Sequence, residues 1–181
     1  MVGSVTSEND LRTLVQEAMA AYGRIDAVVN STGNPPSAGV LEATDEQWQQ
    51  GFDLCFHNVV RMARLVTPIM QAQRGGAIVN ISSINAVEPG HWFVASARAA
   101  LSSFLKMYTR RCAPDGIRMN NLLLGYLENW AVEESVVQAI PLRRTGRLDE
   151  AAKAAAFLLS ADASYIAGQN LRVDGGLTRS L

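Results

Sequence analysis

His57 and His91 are the only imidazoles in this sequence, so side chains able to move a proton near neutral pH are few. The two thiols, Cys55 and Cys112, fall in apolar helical patterns. They read as buried and reduced, rather than as a disulfide or a metal site. Ser83 ends the run Val79-Asn80-Ile81-Ser82-Ser83, where a strand would emerge at its carboxyl end. A hydroxyl there either caps the strand end or donates to an oxygen that gains charge in a reaction. Arg98 is either a fixed cation facing a ligand or a solvated helix residue. Gly33 has no side chain to obstruct a ligand approaching the backbone.

The elements that would position these residues alternate between helical and strand periods. That alternation implies an α/β fold with a mostly parallel sheet. Leu11, Leu14, Val15, Ala18, Met19 and Tyr22 recur at helical spacing, with Ser7 and Asp10 as a capping box and Gly23 as a stop. Ile25 to Asn30 reads as a short buried strand. Thr44 and Gln47 cap a long helix with Trp48, Phe52, Cys55, Phe56, Val59, Val60, Ala63 and Val66 on its apolar side. Strands are expected at 77–81, 117–123 and 170–173, and helices at 93–111 and 149–160. The whole of residues 1–181 reads as one domain.

The closing segment carries the most specific pattern. Pro141-Leu142-Arg143-Arg144-Thr145-Gly146-Arg147 precedes an apolar helix through Phe157-Leu158-Leu159-Ser160. Ser164-Tyr165-Ile166-Ala167-Gly168-Gln169 and Val173-Asp174-Gly175-Gly176 follow. This resembles the C-terminal signature of the short-chain dehydrogenase/reductase family. The resemblance implies a Rossmann-like three-layer αβα fold. It also implies NAD(P)(H) as cofactor, and hydride transfer with a small carbonyl or alcohol substrate.

Carried over residue by residue, the resemblance makes Ser83 the hydroxyl that polarises the substrate oxygen. Asn30-Ser31-Thr32-Gly33 stands where the family has Asn-Asn-Ala-Gly, making Asn30 a sheet-stabilising residue and Gly33 a point of cofactor approach. Leu124-Gly125-Tyr126-Leu127 stands where Pro-Gly-x-Ile is usual, with Gly125 and Leu127 beside the nicotinamide. Aligning Arg98-Ala99-Ala100-Leu101 with the family's Lys-Ala-Ala-Leu puts Arg98 at the lysine position and Val94 at the tyrosine position. A shift by one gives Phe93. Neither carries an exchangeable proton. Cys55 takes the place of the family's asparagine, with Asn58 one turn further on, and Ser4 that of an adenine-contacting aspartate. His91 is then the nearest replacement acid/base, and the active site reads as degenerate.

The order of elements also implies a fold that is N-terminally incomplete. The glycine-rich turn that normally opens such a fold is absent, which corresponds to about two βα units. Weak dinucleotide binding by this chain alone, and an exposed edge on the strand ending at Asn30, are the expectations. The family's association through its two central helices and its last helix and strand implies a homodimer or homotetramer. An inactive interaction subunit is the alternative function.

Composition removes other classes. Net charge is −1 with no basic block, which argues against a nucleic-acid partner. No apolar run approaches a membrane span, and the first residues lack the order of a signal peptide. Together with the reduced thiols, this points to the cytoplasm.

Overall fold

Local signals set the helix ends. The N–H of Asp10 donates to Ser7 Oγ at 3.3 Å, while the Asp10 carboxylate turns back to accept from the Ser4 N–H at 2.8 Å. Gly23 closes this helix at φ 71°, a left-handed value that suits glycine. Thr44 and Gln47 cap each other, through Gln47 N–H to Thr44 Oγ1 at 3.3 Å and Thr44 N–H to Gln47 Oε1 at 2.9 Å.

A computed structural model describes residues 2–180. The main elements are α1 (Glu8–Tyr22), β1 (Ala27–Asn30), α2 (Asp45–Phe52), a π-helical turn (Asp53–His57) and α3 (Asn58–Gln73). There follow β2 (Gly76–Ser83), a 3₁₀ turn (Ile84–Ala86), α4 (Val94–Cys112), β3 (Ile117–Leu124), α5 (Glu134–Ala139), α6 (Leu148–Leu159) and β4 (Asn170–Val173). The strands form one parallel sheet in the order β1-β2-β3-β4.

Alternate residues of β2 and β3 feed two cores. Ile78, Ile117 and Met119 pack with Leu11, Val15, Val66, Met70 and Leu105, so α1, α3 and α4 cover one face. Val79 and Leu122 pack with Leu158 of α6 on the other. This is the expected Rossmann-like three-layer arrangement. α3 and α4 share a face while α6 takes the opposite one, yet the strand order advances in one direction. The crossover from β3 to β4 therefore has the opposite hand to the two before it. Arg118 anchors that last crossover by donating to the carbonyls of Leu158 at 2.8 Å and Ser160 at 3.0 Å, at the C-terminal end of α6.

β1 is shorter and more open than a buried strand over 25–30. Ile25 is held instead by the Gln73 side chain, through bonds of 2.9 Å to both its N–H and its carbonyl. Because α6 packs over β2 and β3, Ala27 and Val29 are left exposed on that face. Among the described residues β1 pairs only with β2, and its other edge has no partner strand, as expected.

One asparagine stands at the same level in every strand. The register aligns Asn30 with Asn80, Asn80 with Asn121 and Asn121 with Asn170. Their amides link head to tail: Asn30 Nδ2 donates to Asn80 Oδ1 at 2.8 Å, Asn80 Nδ2 to Asn121 Oδ1 at 2.8 Å, and Asn121 Nδ2 to Asn170 Oδ1 at 2.9 Å. Asn80 and Asn121 are fully buried. Replacing Asn80 by Leu strands a donor on one side and an acceptor on the other. The expected cost is about 2–5 kcal/mol, read from the midpoint of urea unfolding. A loss within experimental error would show that the ladder does not hold the sheet.

Between α3 and α4, Tyr108 Oη lies 2.7 Å from Thr67 Oγ1, which donates to the Ala63 carbonyl at 2.6 Å. Burial pushes the Tyr108 phenol up to about 12. Its folded value thus exceeds the ordinary phenol value of about 10, so its stabilising contribution is whole below pH ~10 and is lost between ~10 and 12. Tyr108→Phe is expected to be less pH-sensitive than the parent in unfolding at pH 9 and pH 11. Equal slopes for both proteins would contradict the assignment.

Candidate functional site

Ser83 and Gly125 meet at the carboxyl end of the sheet. β2 runs three residues past Asn80 and ends at Ser83, opposite Leu124, the last residue of β3. Gly125 follows at once, its N–H donating to the Val173 carbonyl at 3.0 Å. Carboxyl ends of parallel strands are where such sheets hold ligands.

Ser83 is half-buried and caps the 3₁₀ turn, its Oγ accepting from the Asn85 N–H at 3.3 Å. The capping reading therefore holds, but it uses only a lone pair. The hydroxyl proton stays available, and an incoming N–H makes it a better donor. Gly33 lies in the exposed loop after β1, and a Cβ there would meet nothing within 4 Å. Gly125 is different: a Cβ would fall 2.8 Å from the Asp174 Cα, so glycine is required by packing against the segment after β4. Leu127 is buried, and its neighbours Tyr126 and Glu128 bond to Gly146, tying this loop to the start of α6.

α4 packs on β3 and on the 3₁₀ turn that Ser83 caps. Its start is fixed by an aromatic lock. Phe93 is 1% exposed, with its ring 4.8 Å from that of Trp48 and pressed against Gly51 of α2. The Phe93 N–H donates to the Ala38 carbonyl at 3.3 Å, and Trp92 pairs with Gly39 as an antiparallel bridge. The loop after β1 and the segment before α4 are thereby stitched together. Val94 and Ala97 are buried with Phe93 and Cys55 in one apolar cluster. Cys55 lies within the π-helical turn, a local irregularity frequent at functional sites. Burial pushes its thiol up, an effect opposed by the nearby charge of Arg98.

Arg98, one turn after Val94, is half-buried. Its Nε is buried without a partner, and no carboxylate pairs with it among the described residues. His91 is exposed, with its ring 4.3 Å from that of Trp92, and makes no hydrogen bond to another candidate residue. Asn58 is buried, its Oδ1 accepting from the Val59 N–H at 2.7 Å. Ser4 contacts Asp10 and Thr6 at the start of α1.

Two connections escaped sequence reasoning. The C-terminal segment returns to the loop after Ser83, where the Glu88 carboxylate accepts the N–H groups of Arg179 at 2.8 Å and Ser180 at 3.2 Å. The bond from Arg179 comes first in holding Glu88 below the usual carboxylate range. Asp174 forms the intervening turn by accepting from Gly176 N–H and from both Thr178 N–H and Oγ1, all between 2.7 and 2.9 Å. Asp174 stood in the closing signature, but nothing local pointed to Glu88.

Residues 1–178 match the family model described as enoyl-(acyl carrier protein) reductase. The chain is similar to the 3-oxoacyl-(acyl-carrier-protein) reductase of Thermotoga maritima, with 31% identity over 96% of this chain and 74% of that relative. It is 34% identical to the corresponding reductase of Chlamydia muridarum, over 94% of this chain and 73% of the relative. Among solved structures, it resembles the L-sorbose reductase from Gluconobacter frateurii complexed with NADPH and L-sorbose. The TM-score is 0.92 at 29% identity, covering 98% of this chain and 76% of that one. YwfH, an NADPH-dependent reductase involved in bacilysin biosynthesis, gives a TM-score of 0.93 at 25% identity, over 100% and 78% of the two chains.

Gly51 tests the aromatic lock. A Cβ at this position would lie 2.6 Å from Phe93 Cε2. Gly51→Ala is expected to displace the ring and destabilise by about 1–3 kcal/mol, measured by urea unfolding. A variant as stable as the parent would mean that the ring does not pin the start of α4.

Proposed function

This chain belongs to the short-chain dehydrogenase/reductase family, and from that premise we propose that it serves NAD(P)(H)-dependent carbonyl reduction with a degenerate proton relay. The observation that carries the reading is the placement of Ser83 opposite Leu124 at the ends of β2 and β3, with Gly125 the next residue along. The open space over Gly33 and the unpartnered Nε of Arg98 also suit a ligand lying across the carboxyl edge.

A reduced nicotinamide, held beside Gly33, Arg98, Gly125 and Leu127, would supply a hydride to the carbonyl carbon. Ser83 donates its hydroxyl hydrogen bond to the carbonyl oxygen as negative charge builds there. The oxygen takes its proton from water, leaving hydroxide, because Val94 and Phe93 have none to give. A positioned acid contributes about 10²–10⁴-fold, so this reduction is slow by comparison but not abolished. His91 is the imidazole nearest in sequence to the lost tyrosine, and a flank role in relaying that proton is the one left to it.

The apolar cluster of Cys55, Phe93, Val94 and Ala97 favours a second reading, an inactive interaction subunit of the same family. Both readings include a homodimer or homotetramer. The exposed Met107 on α4, Phe157 on α6 and Leu171 on β4 support it, since they place apolar area on the helices and strand in question. The two unpaired, buried thiols fit a cytoplasmic setting. Among the described residues, no helix is long and apolar enough to cross a membrane.

Calorimetric titration with NADPH and NADH, followed by a carbonyl-reduction assay, separates the readings. The enzyme reading expects saturable binding, slow turnover without a bell-shaped pH dependence, and loss of turnover in Ser83→Ala with cofactor affinity retained. Absence of heat with either nucleotide leaves the subunit reading in its place.

A further inference from the structure

The C-terminal segment joins three loops that leave the carboxyl edge of the sheet. Gly175 and Gly176 turn the chain straight after β4, at left-handed φ values of 66° and 86°. Asp174 packs on Gly125, and the Leu142 N–H donates to the Gly175 carbonyl at 3.2 Å. The segment then reaches the loop after β2, where Glu88 takes the N–H groups of Arg179 and Ser180. Because β3 lies between β2 and β4, residues 174–180 cross its carboxyl end, where Leu124 stands opposite Ser83.

The crossing is held by hydrogen bonds rather than by apolar burial. None of residues 174–180 is fully buried. Asp174 uses its acceptors on Gly176 and Thr178, inside the turn itself. Beyond Thr178, the bonds among the described residues are those to Glu88 and one from the Arg172 guanidinium to the Ser180 carbonyl. Glu88 and Arg179 are both exposed. Ser180 Oγ is enclosed without a partner, which weakens the closed arrangement. Segments with exposed bonds and little buried apolar area open locally, without unfolding of the domain.

We propose that residues 177–180 form a strap that gates access to Ser83, with the Glu88 carboxylate as its latch. The Asp174 turn is the hinge, since its bonds are internal and survive when the latch opens. The Glu88 N–H donates to the Ile84 carbonyl, in the 3₁₀ turn that Ser83 caps. The latch therefore ties the strap to the turn that carries Ser83. A carboxylate suits this task, because an ionised acceptor holds two N–H groups more strongly than a neutral one. The strap follows from these contacts alone, so it stands or falls separately from the reductase reading.

The test uses the 181-residue chain and needs no substrate. Hydrogen exchange followed by NMR reads the Arg179 and Ser180 amides, with the buried strand residue Leu122 as reference. Glu88→Ala is expected to speed exchange at both amides ~10-fold or more, the scale of a hydrogen bond to a charged group, with Leu122 unchanged. Glu88→Gln should fall between, because its amide oxygen accepts without a charge. Ser83→Cys then places a thiol at the gated position, and mass spectrometry follows its alkylation by iodoacetamide. Cys55 and Cys112 are buried and give the slow background. Adding Glu88→Ala to Ser83→Cys should speed alkylation at position 83 by about the same factor, because the open population sets both rates. Deleting residues 179–181 releases the strap with Glu88 in place and should act alike. Unchanged exchange in Glu88→Ala overturns the latch, and faster exchange without faster alkylation overturns the gate. Exchange that rises equally at Leu122 means that the whole domain loosens, and the proposal fails. It also fails if Glu88→Ala speeds alkylation and the deletion does not, since the effect then belongs to the loop after β2.

Discussion

The side-chain ladder Asn30–Asn80–Asn121–Asn170 is the constraint on which the rest of the sheet depends. Asn30 donates, Asn80 and Asn121 each give a hydrogen to one neighbour and take one from the other, and Asn170 accepts, so the chain of bonds is directional and complete only in a single register. A slip of one residue would turn every amide to the α6 face and bring an apolar residue into its place. In a buried layer that leaves several polar groups unsatisfied at once. The ladder therefore fixes how far β2 and β3 overrun β1. That overrun places Ser83 opposite Leu124 at the carboxyl edge, with Gly125 the next residue along.

α4 is coupled to the same ladder. Ser102 Oγ donates to Asn170 Oδ1 at 3.3 Å, which sets α4 over the sheet from within. Phe93 then sets the start of α4 from outside, by filling the hollow that Gly51 leaves in α2. Tied at its start and at mid-length, α4 gives Val94, Ala97 and Arg98 little freedom in where they point.

Much of this was legible in the sequence because it is written locally. The reciprocal caps of Thr44 and Gln47, the stop at Gly23 and the bounds of β4 rest on neighbouring residues, and they appear where the pattern puts them. The closing signature fixed the family for the same reason. The ladder was only glimpsed, through Asn30, since a sequence does not state which asparagines face each other across strands. The π-helical turn left no trace in the apolar spacing around Cys55, because one extra residue in a helix changes the face only beyond it. The exposure of β1 depends on how far α6 reaches across the sheet, which is a tertiary fact. The contact of Glu88 with Arg179 joins residues 91 apart.

Apolar and charged side chains settle differently into the same stretch of α4. Val94 and Cys55 bring no hydroxyl or amide that needs a partner, so they close with Phe93 and Ala97 into a buried cluster at no polar cost. Arg98, in the next turn, cannot be absorbed in that way: a guanidinium stays charged, and this one is half-buried, with Nε enclosed and unpartnered. The start of α4 is therefore sealed by Phe93 against Trp48 and Gly51, while the turn that follows keeps a cation at the border between core and solvent.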